Sequence, residues 1–123
     1  MNSQPIVDHF VGGAAFVGAS SRMAPVYDPA LGTVSKQVRL ASTQDVSDAI
    51  AVAHAAFPAW RDMSLARRVA IVFKFRELLE AKKGELAEII TSEHGKVLSD
   101  ALGEITRGQE VVEFACALPH LLK

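Results

Sequence analysis

The chain has 123 residues, 50% of them hydrophobic, and its formal net charge at pH 7 is −1. This length is enough for one small domain but not for two. The near-zero charge argues against a nucleic-acid partner, which would favour a clustered basic excess, and no apolar run reaches membrane-spanning length. The single cysteine, Cys116, excludes an internal disulfide and a cysteine-based zinc cluster, and it fits a reducing, cytoplasmic compartment.

Short β-strands are predicted in the first third of the sequence. Residues 1–8 show no hydrophobic periodicity and are predicted to form a flexible N-terminus. Residues 9–19 predict a hairpin whose turn contains a Gly-Gly pair. Residues 24–40 predict a strand, a turn and a second strand, because Pro29 fixes φ and Gly32 tolerates a positive φ.

Three or four helices are predicted to follow the strands. Ser42 or Thr43 caps the first helix, whose apolar residues recur at i, i+3 and i+4, and Pro58 ends or kinks it. Ser64 caps a second helix that runs to about Lys83, with further helix over the residues that follow. The predicted buried side of the second helix consists of Ile71, Val72, Phe75, Leu78 and Leu79.

The last predicted helix is the longest and contains two glycines. Gly95 is predicted to end the preceding helix in the left-handed conformation, and Ser99 to cap the new one. Pro119 ends it, because proline lacks the backbone N–H that a helix needs. Gly103 and Gly108 allow another backbone to approach closely, or else they mark a loosely specified helix.

A family resemblance is carried by three motifs: EHGK at residues 93–96, GEI at 103–105 and VVEFA at 111–115. Together they resemble the aldehyde dehydrogenase superfamily, near the end of its first segment. The longer runs GEITRG at residues 103–108 and PHLL at 119–122 resemble more particularly its methylmalonate-semialdehyde branch, which makes an acyl-CoA rather than a free acid. The resemblance extends from about His9 to Lys123.

The resemblance implies an α/β fold, namely the N-terminal part of an aldehyde dehydrogenase cofactor-binding domain, with a short β-hairpin and strands followed by three or four helices. Residues 9–123 would then be an incomplete N-terminal segment of such a domain. The implied reaction is the NAD-dependent, CoA-acylating oxidation of methylmalonate or malonate semialdehyde, in valine- or inositol-type catabolism. The implied partners of the full-length enzyme are this small-molecule substrate and further copies in a dimer or tetramer, with no nucleic acid and no membrane.

No catalytic, cofactor-binding or metal-binding residue is expected within these 123 residues. The family's nucleophilic cysteine and nicotinamide-site residues lie downstream of Lys123 by the resemblance, so NAD and coenzyme A belong to the full-length enzyme and the segment alone is expected to be inactive. Cys116 is predicted to be structural, because it lies in an apolar helical run and reactive thiols need an electropositive, partly exposed setting.

Arg107 is the one predicted substrate-binding residue. In the resembled branch, the arginine of this Gly-Glu-x-x-Arg-Gly stretch is expected to face the incoming substrate. Methylmalonate semialdehyde carries a carboxylate away from its aldehyde, and a guanidinium can bind that group through two hydrogen bonds. The alternative is a surface arginine paired with Glu104, three residues earlier.

Two other interpretations of the whole chain stay open. It could be a truncated, non-catalytic interaction module, whose apolar helix faces need another surface to cover them. It could also be a segment of a different semialdehyde dehydrogenase, such as one that acts on succinate semialdehyde.

Overall fold

The computed structural model describes residues 4–122. They form two compact units, one up to Arg61 and one from Asp62. The order of strands followed by helices confirms the predicted α/β class. No helix within residues 4–122 is both long and apolar enough to cross a membrane. The elements are β1 (Ile6–Val7), β2 (His9–Val11), β3 (Ala14–Phe16), β4 (Met23–Asp28), β5 (Thr33–Arg39), α1 (Thr43–Asp62), α2 (Leu65–Ala81), α3 (Lys83–His94), α4 (Leu98–Cys116) and α5 (Leu118–Leu121).

The predicted hairpin is formed by β2 and β3. The two strands are antiparallel, and His9 lies opposite Phe16. Gly12 and Gly13 make the turn with φ angles of 63° and 84°. Two consecutive positive φ angles match the right-handed twist of a tight hairpin and are adopted most easily by glycine, so the Gly-Gly pair specifies this turn.

The second predicted turn joins β4 to β5, which pair antiparallel in a sheet of order β1-β5-β4. Asp28 Oδ1 accepts hydrogen bonds from the backbone N–H groups of Ala30 at 2.9 Å and Leu31 at 3.3 Å. Gly32, with φ of 67°, donates its N–H to the Asp28 carbonyl at 2.8 Å. The aspartate side chain therefore closes the turn that the sequence predicted.

Regular structure begins earlier than the sequence predicted, because Ile6–Val7 forms β1 and pairs parallel with β5. The backbone N–H of Gln37 donates to the carbonyl of Pro5 at 3.0 Å. The pairing of β1 with β5 uses backbone groups, and both side chains of β1 remain exposed. No hydrophobic pattern in the sequence therefore predicts this strand. Residues 1–3 lie outside the described residues, and the flexibility of the terminus stays a prediction.

The first helix, α1, begins at a tight hydrogen-bond cluster. Of the two predictions for Pro58, an end or a kink of the helix, the end is wrong. Ser42 Oγ accepts from the Asp45 N–H at 3.1 Å, and the Asp45 carboxylate accepts from the Ser42 N–H at 2.8 Å. This reciprocal pair satisfies two backbone donors at the helix start. Pro58 lies inside α1, which continues to Asp62. Proline removes one N–H donor, and the helix nevertheless continues past it.

In the second unit, α4 packs against both α2 and α3. Ser64 caps α2 as predicted, accepting from the Arg67 N–H at 3.4 Å, and Gly95 ends α3 with φ of 83°. The predicted cap at Ser99 is wrong, because the N-cap is Val97, two residues earlier and in extended conformation, and α4 begins at Leu98. Pro119 falls in the first turn of α5, where its missing N–H is not needed.

The predicted buried side of α2 is only partly buried. Ile71, Phe75 and Leu78 are exposed, at 51%, 51% and 50% of their surface, whereas Val72 and Leu79 are less exposed and partly buried. Among the described residues, the buried hydrophobic side chains are those of Ala87 and Ala101 alone. The buried contact between α2, α3 and α4 is narrow, and the apolar faces of these helices extend beyond it.

The pH dependence of stability is expected to reflect Asp45. Hydrogen bonds from the Ser42 side chain, and then from the backbone N–H groups of Ser42 and Ala19, lower the pKa of Asp45 from 3.8 to about 2. Because the folded-state pKa is the lower one, this stabilisation is present above pH 3.8 and is lost as the pH falls towards 2. We expect Asp45→Asn to flatten the decline in unfolding free energy between these values, as measured by urea denaturation. Asp48→Asn, at an exposed position of the same helix, is the matched control.

Candidate functional site

The candidate site lies in the second unit, where the start of α4 meets the connection from α3. Gly95 turns the chain, and the Lys96 Nζ that follows donates a hydrogen bond to the Glu104 carboxylate. The Lys96 side chain is 16% exposed and that of Glu104 is 43% exposed. The hydrogen bond from Lys96 is the main reason that the pKa of Glu104 lies below its ordinary value.

Arg107 is exposed and stands three residues after Glu104. Its Nη2 lies 4.0 Å from the position that a Cβ on Gly103 would occupy, so the guanidinium extends back over that turn of α4. No hydrogen bond or salt bridge joins Arg107 to Glu104, whose carboxylate pairs with Lys96. The positive charge of Arg107 nevertheless contributes to lowering the pKa of Glu104. Among residues 4–122, Arg107 has no hydrogen-bond or ion-pair partner.

The two helical glycines of α4 do not bring another backbone close. A Cβ at Gly108 would have nothing within 4 Å, and one at Gly103 would meet only the Arg107 side chain. The expected close approach is therefore absent within the part of the chain that the structure describes. Gly108 instead lines an open groove of about 390 Å³ whose other lining residues, nearly all apolar, are Phe75, Leu79, Leu86, Ile89, Ile90, Ile105, Gln109 and Val112.

Two polar contacts join α2 and α4. Gln109 is only 6% exposed, and its Nε2 donates to Glu80 Oε2 at 2.9 Å. Arg76 donates from Nε and Nη2 to Glu113 Oε1, at 2.9 Å and 2.8 Å, and these hydrogen bonds raise the pKa of Arg76. Sequence analysis did not predict these two pairs, because the partners lie on different helices, 29 and 37 residues apart.

Cys116 is the last residue of α4 and is half-buried. That this cysteine is structural rather than catalytic stays a prediction.

The glycines with positive φ do not fit a dinucleotide site. Such a site needs a glycine-rich turn between a strand and the start of a helix. Gly12, Gly13 and Gly32 lie in turns between strands, Gly18 follows β3 and precedes β4, and Gly95 follows α3. Within residues 4–122, no group of three or more His, Cys, Asp or Glu side chains is placed to hold a metal ion.

The first unit has an open groove of about 430 Å³ beside the hairpin and α1, lined by both apolar and polar residues, among them His9 and Asp45. The Asp45 carboxylate is engaged by Ser42 and by the N–H of Ala19 at 2.9 Å. A Cβ at Gly18 would lie 3.0 Å from that carboxylate, so the glycine allows the close approach. This carboxylate is structural rather than available to a ligand.

Known proteins match the chain over nearly its whole length. The model of the aldehyde dehydrogenase family matches residues 16–123. Malonate-semialdehyde dehydrogenase of Pseudomonas aeruginosa is 42% identical over 115 residues, which are 94% of this chain and 23% of that protein. The chain therefore spans about a quarter of the length of the curated relatives it matches.

Two solved structures share the fold closely. A structure described as a methylmalonate-semialdehyde dehydrogenase from Sinorhizobium meliloti, complexed with NAD, is 40% identical with a TM-score of 0.95 and covers 100% of this chain and 25% of its own. Methylmalonate-semialdehyde dehydrogenase from Oceanimonas doudoroffii is 42% identical with a TM-score of 0.94. The match covers 98% of this chain and 24% of that one.

Proposed function

Because the chain belongs to the aldehyde dehydrogenase family, we propose that it forms the N-terminal part of an NAD-dependent, CoA-acylating semialdehyde dehydrogenase. The proposed substrate is malonate or methylmalonate semialdehyde, and the product is an acyl-CoA. The proposal is carried by one observation. Over 98% of its length, the chain shares both the fold and 42% of the sequence of the methylmalonate-semialdehyde dehydrogenase from Oceanimonas doudoroffii. It extends to a cytoplasmic homo-oligomer, dimer or tetramer, in valine- or inositol-type catabolism.

In this proposal NAD and coenzyme A bind to parts of the enzyme outside these 123 residues, because the described glycines do not form a phosphate-binding turn. NAD supplies the hydride acceptor for aldehyde oxidation. The segment itself contributes packing surfaces and one polar contact to the substrate.

Arg107 makes that contact in the proposed enzyme. Its guanidinium is exposed, and it has no ion-pair partner among residues 4–122. A planar guanidinium presents N–H donors in a fork that matches a carboxylate. Since the proposed substrate has a carboxylate at the end away from the aldehyde, Arg107 orients it and favours semialdehydes over simple aldehydes.

The proposal is tested in a chimera in which this chain replaces the aligned 115-residue stretch of the Pseudomonas aeruginosa enzyme. We expect the chimera to convert malonate semialdehyde, coenzyme A and NAD into an acyl-CoA and NADH, because the replaced stretch is 42% identical in sequence. Acyl-CoA is measured by chromatography and NADH by absorbance. A folded chimera that prefers succinate semialdehyde would move the segment to that other branch.

A second candidate function is an interaction module without catalysis, and the exposed apolar side chains favour it. Phe10, Phe57, Val111 and Phe114 are 54–76% exposed. Large exposed apolar patches mark protein–protein surfaces. Sedimentation of the 123-residue chain examines this candidate: stable association, with itself or with a defined partner, supports it, whereas a monomer that binds no hydrophobic dye counts against it.

A further inference from the structure

One carboxylate of α4 lies within reach of two cations. Glu104 and Arg107 are three residues apart, a spacing that places helical side chains side by side. The Arg107 guanidinium extends over the turn that contains Gly103, next to Glu104. Lys96 reaches the same carboxylate from the connection before α4. Glu104 could therefore pair with either cation.

Lys96 holds Glu104 in the structure. Its side chain is largely buried, at 16% exposure, whereas Arg107 is exposed. The left-handed Gly95 sets the direction of the connection and so delivers the lysine to the carboxylate. The hydrogen bond from Lys96 affects the ionisation of Glu104 most, while the charges of His94 and Arg107 have the smallest effects.

We infer that Lys96 is a positioning residue for substrate recognition: by holding the Glu104 carboxylate, it leaves the Arg107 guanidinium free for the carboxylate of the substrate. The inference rests on the proposed function, since Arg107 must meet the substrate for Lys96 to matter. Without the lysine, Glu104 pairs with Arg107 along the helix, and a substrate carboxylate has to displace it. Lys96 thereby acts on affinity for carboxylated substrates and not on the chemical step.

A double-mutant cycle in the Pseudomonas chimera tests the inference. The four proteins are the parent, Lys96→Met, Arg107→Leu and the double variant, each assayed with malonate semialdehyde and with propanal. We expect Lys96→Met to raise KM for malonate semialdehyde about two- to fivefold, the range set by an exposed ion pair. We expect kcat and the KM for propanal to be unchanged, and Lys96→Met to add nothing once Arg107 is leucine.

Glu104→Gln supplies a second test, because it removes the competing carboxylate instead of the lysine that holds it. Its KM for malonate semialdehyde is expected to match the parent, and adding it to Lys96→Met is expected to restore the parental KM. A rise in KM for Glu104→Gln overturns the inference, as does a Lys96→Met effect that persists without Arg107 or extends to propanal. If Arg107→Leu itself does not affect malonate semialdehyde, the proposed substrate contact fails. If Arg107→Leu raises KM for malonate semialdehyde and Lys96→Met does not, only the inference about Lys96 fails.

Discussion

Replacing Arg107 by leucine in the chimera is expected to raise KM for malonate semialdehyde about 10- to 100-fold while leaving propanal oxidation nearly unchanged. A hydrogen bond to a charged group contributes roughly 1.5–3 kcal/mol, and each 1.4 kcal/mol is about tenfold in affinity. Leucine keeps much of the side-chain volume but has no donor. The loss therefore falls on substrates that carry a carboxylate, and steady-state kinetics with both aldehydes measures it.

Two control variants separate recognition from charge and from folding. Arg67→Leu makes the same change at an exposed position of α2, and it is expected to leave both KM values unchanged. Arg107→Lys keeps the charge but loses the planar fork, so its KM is expected to lie between those of the parent and the leucine variant. An equal loss on propanal and malonate semialdehyde would contradict the role of Arg107 as a carboxylate clamp.

Local chemistry in the sequence was enough to predict the turns. Gly12 and Gly13 specify their hairpin, Asp28 closes its own turn, and Gly95 ends a helix, because each feature depends on residues only a few positions apart. Helix boundaries that depend on backbone geometry were harder to predict from the sequence. Ser99 was the predicted cap, yet α4 starts after Val97 without any side-chain cap.

Side-chain pairing across elements could not be predicted from the sequence. The motif pointed to Arg107 and offered Glu104 as its neighbour at i−3. In the structure Glu104 instead pairs with Lys96, eight residues earlier, because Gly95 redirects the chain between two helices. The sequence likewise marked the apolar face of α2 as buried, but periodicity shows only that a face is apolar. It does not show whether residues such as Ile71 and Phe75 find a partner within the same segment.

The purified 123-residue chain is expected to produce no NADH from propanal or malonate semialdehyde with NAD and coenzyme A. Aldehyde oxidation by this chemistry needs an activated thiolate and a site that aligns nicotinamide with the bound intermediate. The one cysteine is the last residue of α4, in an apolar run of the sequence, and is predicted to be structural. The described glycines form strand turns and one helix end rather than a phosphate-binding turn.

The comparison that gives this null result meaning is the active chimera, assayed at the same molar concentration of the segment. Adding the Pseudomonas enzyme without its aligned stretch to the isolated chain provides a further arm. Activity there would arise if the exposed residues of α1 and α4, such as Ile50 and Val111, bind the rest of the enzyme, because docking of complementary apolar faces releases ordered water. NADH production by the isolated chain alone, abolished by Cys116→Ser, would instead show that the segment carries its own nucleophile and that the proposed division of labour is wrong.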